Sequence, residues 1–301
     1  MNTSECRVAV VVATRNRCPE LTATLGHLCA LPENPRVIVV DNASADGTPE
    51  IVHSRFPKVE MISLDENLGA AGRNVGVRRA NTPYVAFSDD DSWWASGSLS
   101  RAADHFDSHP RLGLLAARTL VGPEERDDPI CAEMSNGPFP AEPGLPGPPV
   151  LGFLACASIV RRSAYLEVGG FDPHLLIAAE EQLLATDLAA AGWGLAYVDD
   201  VVTHHYPSAV RDASARRRLA IRNDLWFAWL RRPASTAIGH TLQMVRGGFY
   251  KDPAVRAGLL GALRGLPWAL RERRVVPDHV ESKLRILDRQ STTRAQPPTG
   301  V

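Results

Sequence analysis

The densest chemistry in the chain lies at 84–91, Y-V-A-F-S-D-D-D, where a short apolar run ends in Asp89, Asp90 and Asp91. Three adjacent anions repel one another unless something cationic sits among them. A hard divalent ion answers this, and Mg²⁺ or Mn²⁺ suits carboxylate and diphosphate oxygens better than Zn²⁺ does. Alternation along the strand sends Asp89 and Asp91 to one side and Asp90 to the other. Taken alone, the triplet reads slightly better as a solvated acidic turn capping the next helix. The other strands decide between these readings. Thr14 and Asp41 also close apolar runs. Asp41 could accept from a base or ribose while Asp89 and Asp91 hold a metal on a diphosphate. That is a nucleotide site without a P-loop, because the chain has no G-x-x-x-x-G-K-[ST].

The elements that must place these residues follow from periodicity. Residues 7–13, R-V-A-V-V-V-A, read as a strand buried on both faces of a parallel sheet. Pro19 suits the first turn of a helix to about residue 30, with Leu21, Leu25 and Leu28 on one face. A second strand at 36–40 ends at Asp41. A short helix capped by Asp46 or Thr48, a third strand at 59–64 and a helix through Arg79 lead into the acidic run. Four strands alternating with three helices predict a doubly wound, mostly parallel α/β sheet, whose ligands bind outside the carboxyl ends of the strands. The spacing of Gly69, Gly72 and Gly76 is not the G-x-G-x-x-G of a dinucleotide fold.

A helix at 97–108 and a strand at 112–121 continue the pattern. Residues 122–149 hold 8 Pro and 4 Gly, too many for regular structure, and predict a long functional loop. Beyond it come a strand at 151–160, a turn at 168–172, a helix at 180–191 and short strands at 195–198 and 201–203. The remainder reads as helical to about residue 288, with a disordered tail from 290.

Of the 301 residues 45% are hydrophobic, ample for a packed core, and no apolar run approaches a membrane span. With no signal-peptide layout at the start, the expected compartment is the cytoplasm. Five cysteines without C-x-x-C spacing suggest neither a disulfide framework nor a zinc site. The net charge of −1 conceals an asymmetry. Residues 1–210 carry 15 Lys and Arg against 27 Asp and Glu, a balance of −12, and residues 211–301 carry 18 against 7, a balance of +11. The basic part, with Trp226, Trp229 and Trp268, reads first as a helical appendage whose arginines pair with the acidic domain. A peripheral surface for anionic lipid is the second reading, and nucleic acid is disfavoured because no recognised binding motif accompanies the charge.

V-A-V-V-V-A-T-R-N-R, V-I-V-V-D-N-A-S-A-D-G-T, N-L-G-A-A-G-R-N-V-G and Y-V-A-F-S-D-D-D, in that order and spacing, resemble the family 2 glycosyltransferases of the GT-A fold. The resemblance covers about residues 7–205. It implies a GT-A catalytic domain over 1–210, with a donor half at about 1–121, the Pro-rich loop at 122–149 and an acceptor half at 150–210. A basic helical region at 211–289 and the tail at 290–301 follow. By resemblance Thr14, Asn16, Asp41, Asn67, Gly69, Arg73, Asn74, Asp89 and Asp90 serve the nucleotide, and Asp89, Asp91 and a histidine, His204 in preference to its neighbour His205, hold the metal. A-A-E-E-Q-L-L-A-T-D resembles the segment carrying the catalytic base, which gives Glu181, or Glu180 beside it. Leu183 and Asp187 depart there from the family's usual acid and arginine. The implied activity is metal-dependent inverting transfer of a sugar from a UDP- or dTDP-linked donor to a hydroxyl on a small metabolite or lipid-linked glycan. An inactive member that only binds nucleotide sugar or glycan, and a metal-dependent phosphohydrolase, are the rivals.

Overall fold

The computed structural model describes residues 6–207, 213–248 and 252–295. In the N-terminal half, β1 (Val8–Thr14), α1 (Cys18–Cys29), β2 (Val37–Asp41), α2 (Thr48–Arg55), β3 (Glu60–Ser63), α3 (Gly72–Arg79) and β4 (Tyr84–Asp89) alternate as the hydrophobic pattern requires. Every residue of β2 is buried, as expected of a Val/Ile strand covered on both faces. The four strands pair in parallel in the order β3-β2-β1-β4. Thr14 lies opposite Asp41, and Ala13 opposite Asp89, so three strands deliver their polar ends to one level.

The chain continues through β5 (Ser92–Trp94), α4 (Ser98–Ser108), β6 (Leu112–Val121), β7 (Arg126–Asp127), α5 (Pro129–Ser135), β8 (Ser158–Arg161), α6 (Arg162–Glu167), α7 (Glu180–Ala190) and β9 (Gly194–His205). β8 runs antiparallel between β4 and β6, which restores the common direction in β6 and in β9 beside it. The result is one mixed, mostly parallel sheet of the GT-A type, in the order β3-β2-β1-β4-β8-β6-β9-β5, with β7 on β6. One face packs Val8, Val10, Val12, Val37 and Val39 against Leu21, Leu25 and Leu28 of α1 and Leu99 and Phe106 of α4. On the other face α3 comes so near that a Cβ on Gly76 would stand 2.4 Å from Val11 Cγ1.

Three local expectations need correction. The Pro-rich stretch contains β7 and the helix α5, because Asp128 accepts from the Ile130 N–H at 3.0 Å and Pro129 fits the first turn. The strand expected over 151–160 shrinks to β8 behind a 3₁₀ turn at Ala155–Ala157, whose first N–H is committed to Glu181. The two short strands expected near 200 are one strand, β9, with a register shift between its pairs Ala117 with Val198 and Arg118 with Val202 that leaves Asp199 and Asp200 exposed.

The remaining helices are α8 (Ala213–Arg231), α9 (Ala234–Gly248), α10 (Pro253–Arg271) and α11 (Asp278–Ala295). They form a second compact unit with residues 138–140 of the Pro-rich loop, the chain passing between units at 137–138, 140–141 and 211–212. Within it the basic residues find partners. Arg232 is buried against Glu281 at 2.6 Å and reaches Asp288 at 2.8 Å, and Arg217 pairs with Asp252 at 2.5 Å. α11 runs past 290, where a disordered tail was expected, because no Gly or Pro interrupts it before Pro297. Residues 296–301 lie outside the described residues. Among those described, no helix is long and apolar enough to cross a membrane.

Candidate active site

The loops at the carboxyl ends of β1, β2 and β4 are tied together by short polar side chains. Thr14 Oγ1 donates to Asp90 at 3.1 Å. Asn16, at φ 52°, donates its backbone N–H to Ser44 Oγ at 2.8 Å and accepts from the Ala45 N–H at 2.8 Å, joining the first loop to the second. Asp41 is 1% exposed, and both its oxygens accept from Ser44, one from the hydroxyl and one from the backbone N–H at 3.1 Å. A nucleoside contact at Asp41 would have to share those oxygens. Asn42, which carried no expectation, accepts from the Leu68 N–H at 3.0 Å and donates to the carbonyl of Gly69 at 3.4 Å. It thereby fastens the turn in which Asn67 accepts from the Gly69 N–H at 2.9 Å. Gly69 itself sits at φ +57°, and a Cβ there would come within 2.2 Å of the Leu176 carbonyl oxygen. Only glycine fits that approach.

The triplet does not alternate as a continuing strand would. β4 ends at Asp89 and a turn at Asp90 and Asp91 leads into β5, so the three carboxylates go three ways. Asp89 forms an ion pair with the buried Arg73, whose guanidinium also lies 5.8 Å above the Phe171 ring. Asp90 faces Thr14 and lies 3.8 Å from Arg17 Nε. Burial, then the charges of Asp89 and Asp91, push its carboxyl up to about 7. Asp91 is buried, with His205 Nε2 3.4 Å from its Oδ1.

The histidine beside Asp91 is thus His205, the neighbour of the His204 expected at the metal. Neighbouring residues of β9 project to opposite sides, so His204 instead approaches Glu125 at 3.4 Å and stacks near Trp93. His205 is the one beside Asp91. Neither ring nitrogen of His205 has a hydrogen-bond partner among the described residues, although both are buried. Asn74 also departs from expectation. Its amide donates to the Phe171 carbonyl at 2.7 Å and accepts from the Phe171 N–H at 3.0 Å and from the Tyr165 hydroxyl. It clamps α3 to the segment ahead of α7.

Glu180 and Glu181 open α7 after an unusual run in which Leu176, Ala178 and Ala179 all have positive φ. Such backbone is costly for non-glycine residues and clusters at functional sites. Here it is held partly by the Leu176 carbonyl, which accepts from the Ala70 N–H at 2.8 Å. The segment that leads into α7 is thus joined to the Asn67–Gly69 turn. Glu181 accepts from the Ala155 N–H at 2.6 Å, and burial, then the charge of Glu180, push its carboxyl up to about 7. Glu180 is buried and acts electrostatically on Arg73.

Among the described residues no three His, Cys, Asp or Glu side chains gather into a metal cluster. The donors present nonetheless suit Mg²⁺ or Mn²⁺, because such ions commonly take one or two protein ligands and complete their shell with phosphate oxygens and water. Asp91 and the buried imidazole of His205, whose nitrogens make no hydrogen bond among the described residues, would be those ligands. Asp89, also expected at the metal, is ion-paired with Arg73.

Residues 9–169 match the family model described as Glycosyl transferase family 2. The chain is 30% identical over 242 residues, 68% of its length and 78% of the relative's, to the N-acetylglucosaminyl-diphospho-decaprenol L-rhamnosyltransferase of Mycobacterium tuberculosis. It is 31% identical over 220 residues to the pre-mycofactocin glycosyltransferase of the same organism, covering 70% of this chain and 45% of that one. Among solved structures, residues 1–349 of Staphylococcus aureus TarS in complex with UDP-GlcNAc superpose with a TM-score of 0.61 at 20% identity, over 95% of this chain and 87% of that one.

Proposed function

This chain belongs to glycosyl transferase family 2, and on that premise we propose that it moves a sugar from a nucleoside diphosphate to an acceptor hydroxyl with inversion, assisted by Mg²⁺ or Mn²⁺. The observation that carries the proposal is a buried group of acids, in which Asp89, Asp91 and Glu181 all act electrostatically on the buried Cys156. Asp91 is held with His205 at the end of β4, and Glu181 is raised to about 7 at the start of α7. A general base works best with a pKa near the working pH, which an ordinary surface glutamate lacks. In this reading Glu181 takes the proton of the acceptor hydroxyl as its oxygen attacks the anomeric carbon. The bond from that carbon to the diphosphate oxygen breaks, and the electron pair leaves with the diphosphate.

When bound, a divalent ion at Asp91 and His205 would neutralise the charge of the departing diphosphate. The remaining work belongs to the chain. Arg73 holds Asp89 oriented as an acceptor for ribose hydroxyls, the loop of Asp41 and Ser44 borders the base, and Asn67 and Gly69 shape the turn beneath the donor. UDP- and dTDP-sugars are the donor classes proposed. A lipid-linked glycan or a small metabolite is the acceptor proposed, and the mycobacterial rhamnosyltransferase is named for a diphospho-decaprenol acceptor.

Release of nucleoside diphosphate from a panel of UDP- and dTDP-sugars, in the presence of Mn²⁺, tests the reading. Turnover of one donor class, reduced about 10² to 10⁴-fold by Glu181→Gln while donor binding survives, supports it. Donor binding without turnover by the unaltered protein, with lipid-linked and soluble acceptors alike, would make the chain a binding member of the family.

A further inference from the structure

α10 has an inner and an outer face, and its packing fixes which is which. Gly258, Leu259, Ala262 and Ala269 are buried. A Cβ on Gly258 would stand 2.6 Å from Ile221 Cγ2, and one on Gly265 would stand 2.3 Å from the Trp226 ring. Trp226 Nε1 also donates to the Ala262 carbonyl at 2.9 Å. The glycines let α8 press directly on the backbone of α10, so α10 cannot roll about its axis without a clash. The opposite side is therefore held outward. It presents Leu260 at 49%, Leu263 at 63% and Leu270 at 47% exposure, spaced at helical repeats. Arg256, Arg264 and Arg271 are exposed beside them, and Pro253–Arg271 contains no acid. Arg271 has a neighbouring Glu272 at 3.5 Å.

We infer that the outer face of α10 seats the protein on an anionic lipid bilayer, the leucines entering the headgroup boundary and the arginines meeting lipid phosphates. A helix with an apolar face, flanking arginines and too little hydropathy to span lies in the plane of a membrane interface. The chemistry disfavours other occupants. A second copy across a twofold axis would bring the same patch against itself. It would then face arginines with arginines, and no acid on the helix would answer them. Nucleic acid would satisfy the arginines and leave three leucines against phosphate. The surrounding charge fits the lipid, since residues 211–301 carry 18 Lys and Arg against 7 Asp and Glu. The inference stands apart from the transferase reading, because it concerns a face of the second unit and needs no turnover.

The full chain is sedimented with vesicles of neutral phosphatidylcholine and with vesicles containing about one-third phosphatidylglycerol. The expected result is partition onto the anionic vesicles, weakened about tenfold or more by the pair Arg256→Gln and Arg264→Gln, and by 0.5 M salt. Leu260→Glu with Leu263→Glu should abolish it. Hydrogen exchange on anionic vesicles should show protection over residues 256–271, which reports the face directly should the glutamate variant misfold. Equal binding to neutral vesicles, no binding to either, or binding indifferent to both pairs of substitutions would overturn the inference. So would light scattering that shows a dimer in solution dispersed by Leu263→Glu, or duplex DNA that competes the protein from the vesicles.

Discussion

Glu181 combines two demands that oppose each other. Its burial raises the carboxyl from the usual 4.5 to about 7, which makes it a competent base and also makes its ionised form costly. Donor cleavage should therefore rise with pH through about 7, and initial rates across pH 5 to 9 check this. The stability effect has the opposite sign. A folded-state pKa raised above the unfolded value contributes stability below about 4.5 that is lost as pH rises through 7. Glu181→Gln should accordingly gain melting temperature relative to the parent at pH 8 and gain less, or nothing, at pH 5. At the same scale, His205→Ala should weaken Mn²⁺-dependent nucleotide binding about 10 to 100-fold, the cost of losing a ligand or its orienting partner, whereas His204→Ala should change it little. Titration calorimetry on the two variants separates these neighbours.

The elements explain how residues far apart in sequence meet. The Asn67–Gly69 turn and the segment before α7 share one hydrogen bond, Ala70 N–H to the Leu176 carbonyl, at a point where only glycine leaves room. Gly69→Ala should cost more than 1 kcal/mol, through both the clash and the positive φ, and lower donor affinity as the turn moves. Thermal denaturation and donor titration read the two consequences. Much of this half was legible beforehand. The β-branched runs of β1 and β2 and the acidic end of β4 have strong periodicity and clear punctuation, and the structure puts their ends at one level. What was not legible depends on three-dimensional partners. The turn after Asp89 is set by Ser92, whose Oγ accepts from the Asp89 N–H at 2.8 Å, so strand alternation could not say where Asp91 points. Likewise the clamp at Asn74 needs Tyr165 and Phe171, about a hundred residues away, and nothing near Asn74 announces it. α5 was hidden by proline content, although Asp128-Pro129 is itself a helix-start signal.

For the whole molecule, the uneven charge first read as two surfaces meeting is in part resolved inside the second unit. Arg232 and Glu281 are both about nine-tenths or more buried, and Arg285 also reaches Glu281 at 2.8 Å. Removing one member of such a pair strands the other. Arg232→Ala should destabilise this unit by about 3 to 5 kcal/mol, seen as faster hydrogen exchange over α8 and α11, while Arg285→Ala at the exposed end should cost under about 1 kcal/mol. Arg256, Arg264 and Arg271 on the outer face of α10 are exposed and have no buried ion-pair partner among the described residues.

In the proposed function the carboxyl ends of β1, β2 and β4 form a metal-assisted nucleoside diphosphate site with Asp91 as a ligand. Calorimetric titration of the purified protein with UDP and with dTDP, each in Mn²⁺ and in EDTA, and repeated on Asp91→Asn, tests it most directly. Binding of one nucleotide that requires Mn²⁺ and disappears in Asp91→Asn is the predicted result. Binding indifferent both to the metal and to Asp91 would contradict it.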